Sequence, residues 1–144
     1  EIGVYCGGSI QLWDAYFTNA KEIIGIDINL GLCHELAQVV FSDKVKIIQA
    51  DAYQPETANS LGDFDIIIDD GPNTRESQLN AIDFYLPHLK PSGVLVIEDI
   101  QPPEKEFVEN LIKKIPPNFT YELLDLRYVK NRYDDILFIV RREF

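Results

Sequence analysis

Phe64-Asp65-Ile66-Ile67-Ile68-Asp69-Asp70-Gly71 is the stretch that decides the fold. A short, β-branched apolar run stopped by Asp-Asp-Gly reads as a strand buried on both faces, not as a helix. Strands of that kind belong to parallel sheets covered by helices, and their ligands bind just beyond the strands' carboxyl ends. Alone, Asp-Asp-Gly is equally well a simple turn. A second strand, Gly93-Val94-Leu95-Val96-Ile97, ends in Glu98-Asp99, so two strands carry two acid pairs to one rim.

The bulk composition narrows the classes. A chain of 144 residues is long enough for one domain, residues 1–144, with a sound core. With 46% hydrophobic and 26% charged residues it is globular rather than disordered. The formal net charge of −11 argues against nucleic acid, which needs a basic face, and suits a cation or a cationic cofactor. No apolar run approaches the roughly 20 residues of a membrane span, and the start does not resemble a signal peptide. Cys6 and Cys33 have no CxxC partner or metal-ligand spacing, and read as reduced thiols of a cytoplasmic protein. The sequence has no methionine and opens inside an expected strand, so an upstream segment is expected to be missing from this form.

Along the chain, strands and helices alternate. Glu1–Tyr5 reads as a strand running into the turn Cys6-Gly7-Gly8-Ser9, then a helix with Ile10, Trp13 and Phe17 on one face and Ser9 as its cap. Glycines at 3, 7 and 8 do not fit G-x-G-x-x-G, so the dinucleotide fingerprint is absent. The strand Glu22–Asp27 ends in an acid, roughly two dozen residues past the first glycine, where a carboxylate accepts from ribose hydroxyls. A capping or turn role is the alternative for Asp27. A helix is expected over Gly31–Phe41, with Leu32, Leu36, Val39 and Val40 inward and His34 at the surface. Val45–Gln49 is a third strand, leaving Asp51 and Ala52 at the ligand edge, and residues 53–63 read as a loop.

After the central strand, Asn73 and Glu76 fit an N-cap and its partner, opening a helix with Leu79, Ile82, Leu86 and Leu89 on one face. Pro102-Pro103 is expected to open another, with Phe107, Val108, Leu111, Ile112 and Ile115 inward. The runs Tyr121–Leu126 and Ile136–Val140 are separated by a linker too short for a covered parallel crossover. They should pair antiparallel.

This succession resembles the class I methyltransferases that use S-adenosylmethionine. The resemblance implies an α/β, Rossmann-like doubly wound seven-stranded sheet, mostly parallel, with a C-terminal antiparallel hairpin. Glu1-Ile2-Gly3-Val4-Tyr5-Cys6-Gly7 is similar to their first motif, acid-x-Gly-x-x-x-Gly. It implies cofactor-binding roles for Glu1, Gly3, Tyr5, Gly7 and Ser9, for Asp27 and Ile28 at the ribose position, for Asp51 and Ala52 at the adenine position, and for Asp69. Ile68-Asp69-Asp70-Gly71 and Val96-Ile97-Glu98-Asp99-Ile100-Gln101 resemble the macrocin O-methyltransferase type, which includes mycinamicin sugar methyltransferases and the so-called cephalosporin hydroxylases. That type implies magnesium-dependent O-methylation of a hydroxyl on a small molecule, often a sugar, with Asp70, Glu98 and Asp99 as metal ligands. The chemistry is coherent: a hard, oxygen-seeking cation relieves the repulsion among clustered carboxylates and lowers the pKa of a coordinated hydroxyl.

The resemblance has a gap. The family carries a histidine three residues after its metal-binding aspartate as general base, and here that position is Asn73. Metal activation suffices, or Asp69 takes the proton, or methyl transfer is impaired. The competing readings are an S-adenosylmethionine-binding module that has lost chemistry and, with less support, an NAD-type dinucleotide binder. Catechol and caffeoyl-CoA O-methyltransferases have a similar first motif but place Asp-Asn after the fifth strand, where this chain has Glu98-Asp99. Self-association into an oligomer is compatible with all of these.

Overall fold

The computed structural model describes residues 1–100 and 105–144. The chain divides into two compact units, Glu1–Ala52 and Tyr53–Phe144. No helix among the described residues is long and apolar enough to cross a membrane.

The first unit consists of helix α1 (Gly8–Tyr16), strands β1 (Ile23–Asp27) and β2 (Val45–Gln49), and a short 3-10 turn, His34–Gln38. β1 and β2 pair in parallel, with Asp27 opposite Gln49. Ile2, Val4, Ile10, Ile24 and Ile26 form the core. Gly25 makes this packing possible: a Cβ there would stand 2.9 Å from Val4 Cγ2 and 3.0 Å from both Ile10 Cδ1 and Ile47 Cδ1.

Three expectations are corrected here. The first strand shrinks to one parallel bridge, Ile2 to Ile26, because Gly3 (φ 90°) and Tyr5 (φ 46°) leave the extended region. The left-handed Gly7, not Ser9, is the N-cap of α1. The helix expected over Gly31–Phe41 is reduced to His34–Gln38, and Leu32 and Val40 face solvent. β-branched Val39 is already extended (ψ 129°), as its stiff side chain favours.

The cysteines are a fourth correction. Cys6 and Cys33 are joined in a disulfide, with Cα atoms 5.2 Å apart. Sequence spacing misses such a pair because its 27-residue separation is closed by tertiary structure. The bond ties the glycine turn to the segment after β1, and the cytoplasmic expectation loses the support it drew from reduced thiols. By loop-closure entropy, reduction is expected to cost about 2–4 kcal/mol. A lowered Tm in reductant checks this, and Cys33→Ala should reproduce it.

The second unit contains α2 (Pro55–Leu61), β3 (Phe64–Asp69), α3 (Arg75–Tyr85), a 3-10 turn (Leu86–His88), β4 (Leu89–Ile97), α4 (Lys105–Lys113), β5 (Phe119–Asp125), α5 (Arg127–Lys130) and β6 (Ile136–Arg142). The sheet order is β3-β4-β6-β5. β3 and β4 run parallel, whereas β6 is antiparallel to both β4 and β5. The C-terminal hairpin is thus present, Asp125 standing opposite Ile136. Ile67, Ile82, Leu95, Ile97, Phe107, Leu111, Phe138 and Val140 fill the core.

Six strands are seen among the described residues, with two parallel and two antiparallel strand pairings. The architecture is α/β with mixed pairing, and a seven-stranded, mostly parallel sheet is not confirmed among the described residues. β3 is at one edge of its four-stranded sheet, so Ile66 is 40% exposed rather than buried on both faces. The expected loop 53–63 contains α2, which opens with Pro55 at its first position, where a missing N–H costs nothing. Of the face expected for α3, Ile82, Leu86 and Leu89 are buried and Leu79 is half-buried, while Gln78, Ala81 and Tyr85 of the helix are buried as well. Pro102-Pro103 lies outside the described residues, while Phe107 and Leu111 of α4 are buried as expected.

Candidate active site

In the second unit, the parallel register sets Asp69 opposite Ile97. The turns that follow, Asp70-Gly71 and Glu98-Asp99, therefore leave the sheet at one edge. The Glu98 N–H donates to the Asp69 carbonyl at 2.9 Å, which locks the two turns together.

Asp69 is buried at 2% exposure, and the Tyr53 hydroxyl donates to its Oδ1 at 2.5 Å. Burial pushes the Asp69 carboxyl up to about 6, against the Tyr53 hydroxyl and the Gly71 N–H, which favour the charged form. Burial, then the Asp69 charge, raises the Tyr53 phenol, so Tyr53 remains a donor. Gly71 is required for this contact: a Cβ there would stand 2.0 Å from the Tyr53 hydroxyl oxygen. Asp69 points inward while the next residue, Asp70, is exposed.

The second acid pair is braced from α3. The Gln78 Nε2 donates to the carbonyls of Glu98 and Asp99 at 3.2 and 3.3 Å. Asp99 is in the left-handed region (φ 50°). Burial raises its carboxyl, the Asp134 charge adds to this, Arg132 opposes it, and Asp135 adds a little more. The N-cap of α3 is Thr74, not Asn73: Ser77 N–H donates to Thr74 Oγ1 at 3.1 Å, and Thr74 N–H to Ser77 Oγ at 3.0 Å. That frees Asn73 (φ 54°) to turn its amide toward Asp99 Oδ2 at 3.4 Å.

Asp70, Glu98, Asp99 and Asn73 thus share an edge. Their carboxylates are not gathered at ligand spacing, however. Among the described residues the only three metal-type side chains with donor atoms all within 4.8 Å are Cys6, Cys33 and Glu35, and two of these are joined as the disulfide.

The expected cofactor residues are mostly in the first unit. Asp27 organises them: its Oδ2 accepts the N–H groups of Val4 and Tyr5 at 2.9 and 3.0 Å, and its Oδ1 that of Asn29 at 2.9 Å. Gly3 N–H donates to the Ile26 carbonyl at 2.8 Å, and Gly7 N–H to that of Val4 at 2.8 Å. Glu1 accepts from Ser9 Oγ and Trp13 Nε1. Tyr5 and Ile28 are 68% and 66% exposed, apolar surface beside Asp27 in space and in sequence. Asp51 and Ala52 follow β2 at the same end as Asp27, where Ala50 N–H donates to the Asp27 carbonyl at 3.0 Å. Asp69 belongs to the second unit.

Burial raises the Asp27 carboxyl, but hydrogen bonds from Asn29, Tyr5, Val4 and Ile28 outweigh it and hold it below the ordinary range. A depressed folded pKa stabilises the fold above the unfolded value of about 3.9. That stabilisation is lost as pH falls through the lower folded value. An NMR titration of the Asp27 carboxyl carbon should give a midpoint below 3.9.

Tyr53, Gln78 and the Thr74–Ser77 box were not among the sequence candidates. Thr74-x-x-Ser77 has a capping pattern one residue after the one chosen. Tyr53 and Gln78 carry no local signal, because their partners are distant in sequence.

The mycinamicin VI 2''-O-methyltransferase of Micromonospora griseorubida is 33% identical over 111 residues, 69% of this chain and 26% of that one. The 8-demethyl-8-α-L-rhamnosyl tetracenomycin-C 2'-O-methyltransferase of Streptomyces olivaceus is 31% identical over 99 residues, 66% of this chain and 24% of that one. The chain therefore spans about a quarter of the length of these relatives. The MycE methyltransferase of the mycinamycin pathway, solved with Mg, SAH and mycinamycin VI, superposes with a TM-score of 0.70 at 24% identity, covering 99% of this chain and 43% of that one, and shares its fold. Residues 1–100 match the family described as a methyltransferase domain, and the chain belongs to that family.

Proposed function

We propose that this chain is the catalytic core, read as a single methyltransferase unit over residues 1–144, of an S-adenosylmethionine-dependent, magnesium-assisted O-methyltransferase. Its acceptor is a hydroxyl of a small molecule, of the glycosylated kind that the relatives' names describe. The observation that carries the reading is the acid edge of β3 and β4, locked by the Glu98–Asp69 backbone bond.

The donor set at that edge suits the metal. Asp70, Glu98 and Asp99 offer only carboxylate oxygens, the hard ligands that magnesium takes, and would hold it. When bound, such a cation lowers the pKa of a coordinated hydroxyl. Asp69, buried and bonded to Tyr53, holds the turn. Asn73 accepts no proton; its amide steadies Asp99.

The first unit suits the cofactor. The amino end of α1 has no side-chain cap, and a Cβ at Gly8 would meet nothing within 4 Å, so a carboxylate can approach the helix N–H groups. Tyr5, Asp27 and Ile28 offer apolar surface beside a carboxylate, as an adenosyl group requires.

The test is methyl transfer to a panel of methyl glycosides, by mass spectrometry, with magnesium and with chelator. Methylated product with magnesium and none with chelator supports the proposal. Cofactor binding without product on any acceptor would favour the second reading, a binding module that has lost chemistry, for which Asn73 at the base position is the specific observation.

A further inference from the structure

Residues 126–135 join β5 to β6. Because β6 is antiparallel to β4, with Phe138 opposite Ile97, β6 begins at the end where Glu98 and Asp99 leave β4. Two backbone bonds hold the segment there: Ile100 N–H to the Ile136 carbonyl at 2.9 Å, and Leu126 N–H to the Asp135 carbonyl at 2.8 Å. Arg132, Asp134 and Asp135 are close enough to bias the Asp99 carboxyl. The linker and the acids therefore share one edge of this unit.

The linker is built, not slack. Asp125 receives the Arg127 guanidinium as a fork, from Nε at 2.9 Å and Nη2 at 2.6 Å, and also accepts the Arg127 N–H at 3.1 Å. The short α5 ends on Asn131 in the left-handed conformation. Together they shape a solvent-open cavity of about 510 Å³ lined by Asp125, Arg127, Tyr128, Asn131, Arg132 and Tyr133. That size is within the range of small-ligand sites.

The lining selects a kind of ligand. Tyr128 and Tyr133 are 83% and 66% exposed, so neither ring serves the core, and both offer flat apolar faces with a polar tip. Asn131 and Asp125 add donors and acceptors. The Arg127 charge is matched by Asp125, and that of Arg132 acts on Asp99. An anionic ligand finds no uncompensated cation among these six residues. A neutral ring with an apolar face and several hydroxyls finds everything it needs.

We infer that the 126–135 linker is the acceptor-binding wall of the second unit, with Tyr128 and Tyr133 stacking on a neutral hydroxylated ring and Asn131 and Asp125 meeting its hydroxyls. Calling the ligand an acceptor rests on the methyltransferase reading; the cavity and its preference do not. The probe is methyl α-L-rhamnopyranoside, titrated into the protein and followed by NMR at the Tyr128 and Tyr133 rings and the Asn131 side-chain amide. The expected result is saturable shifts confined to these groups, with a roughly millimolar Kd. In the Tyr128→Ala/Tyr133→Ala variant the sugar affinity should fall by about tenfold or more, while S-adenosylmethionine affinity by calorimetry stays within about twofold. Both rings are exposed, so the fold should survive, and circular dichroism verifies it. Absent shifts, shifts elsewhere, or an unweakened variant overturn the inference. Failure of the parent protein to bind S-adenosylmethionine overturns the methyltransferase reading instead, and the sugar titration still decides what the cavity binds.

Discussion

Asp70→Ala is expected to lower kcat/KM for magnesium-dependent methyl transfer by roughly two to four orders of magnitude, the range of several kcal/mol of lost transition-state stabilisation. Asp70 is the exposed acid of the Asp69-Asp70-Gly71 turn, whereas Asp69 is buried against Tyr53. Its removal takes one of three carboxylates from the proposed metal set and keeps the Tyr53–Asp69 and Glu98–Asp69 hydrogen bonds. Structure and Tm should therefore change little, while calorimetric magnesium affinity and turnover fall together. Unchanged turnover in Asp70→Ala would remove this residue from the metal set.

Within the acid edge, the largest stability effect is expected from Tyr53→Phe. The phenol OH is a hydrogen-bond donor to a carboxylate that is 2% exposed. Phenylalanine keeps the ring and deletes only the donor, so the loss is that of a buried, charge-assisted hydrogen bond, about 1–3 kcal/mol. For a chain of this length the Tm should fall by roughly 4–10 °C. The effect reaches further than stability, because the Asp69 carbonyl accepts the Glu98 N–H and so couples the two acid turns. Gly71→Ala attacks the same contact from the other side, since its Cβ would displace the Tyr53 hydroxyl. If Tyr53→Phe melts like the parent protein, the hydrogen bond is not what holds the turn.

Much of this edge was legible because it is local. An apolar β-branched run closed by Asp-Asp-Gly, and a second closed by Glu-Asp, define strand ends without tertiary information, and β3 and β4 do lie side by side. The antiparallel hairpin followed from the length of its linker alone, since the nine residues Arg127–Asp135 cannot make a covered crossover. Elsewhere, tertiary context prevailed. The 31–41 segment has helical spacing, yet the Cys6–Cys33 bond and extended Val39 leave only one short turn of it helical. The first motif reads as a strand, yet Gly3 and Tyr5 turn it into a loop clamped by Asp27.

The candidate site was legible as residue types and not as roles. Asp27 was read as a ribose acceptor or a turn residue, and its carboxylate holds the backbone of the first motif, a role that strand position alone does not announce. Asn73 was expected to cap α3, and Thr74 does so instead, leaving Asn73 beside Asp99. Tyr53 and Gln78 bond to residues 16 to 21 positions away, and no pattern of spacing announces such pairs.

The most direct measurement is calorimetric titration of the protein with S-adenosylmethionine, with and without magnesium, alongside NAD as a control. Roughly micromolar binding of S-adenosylmethionine is expected, with a separate magnesium heat that disappears in Asp70→Ala and no saturation by NAD. A folded protein that ignores S-adenosylmethionine, or that saturates with NAD in its place, would contradict the methyltransferase reading.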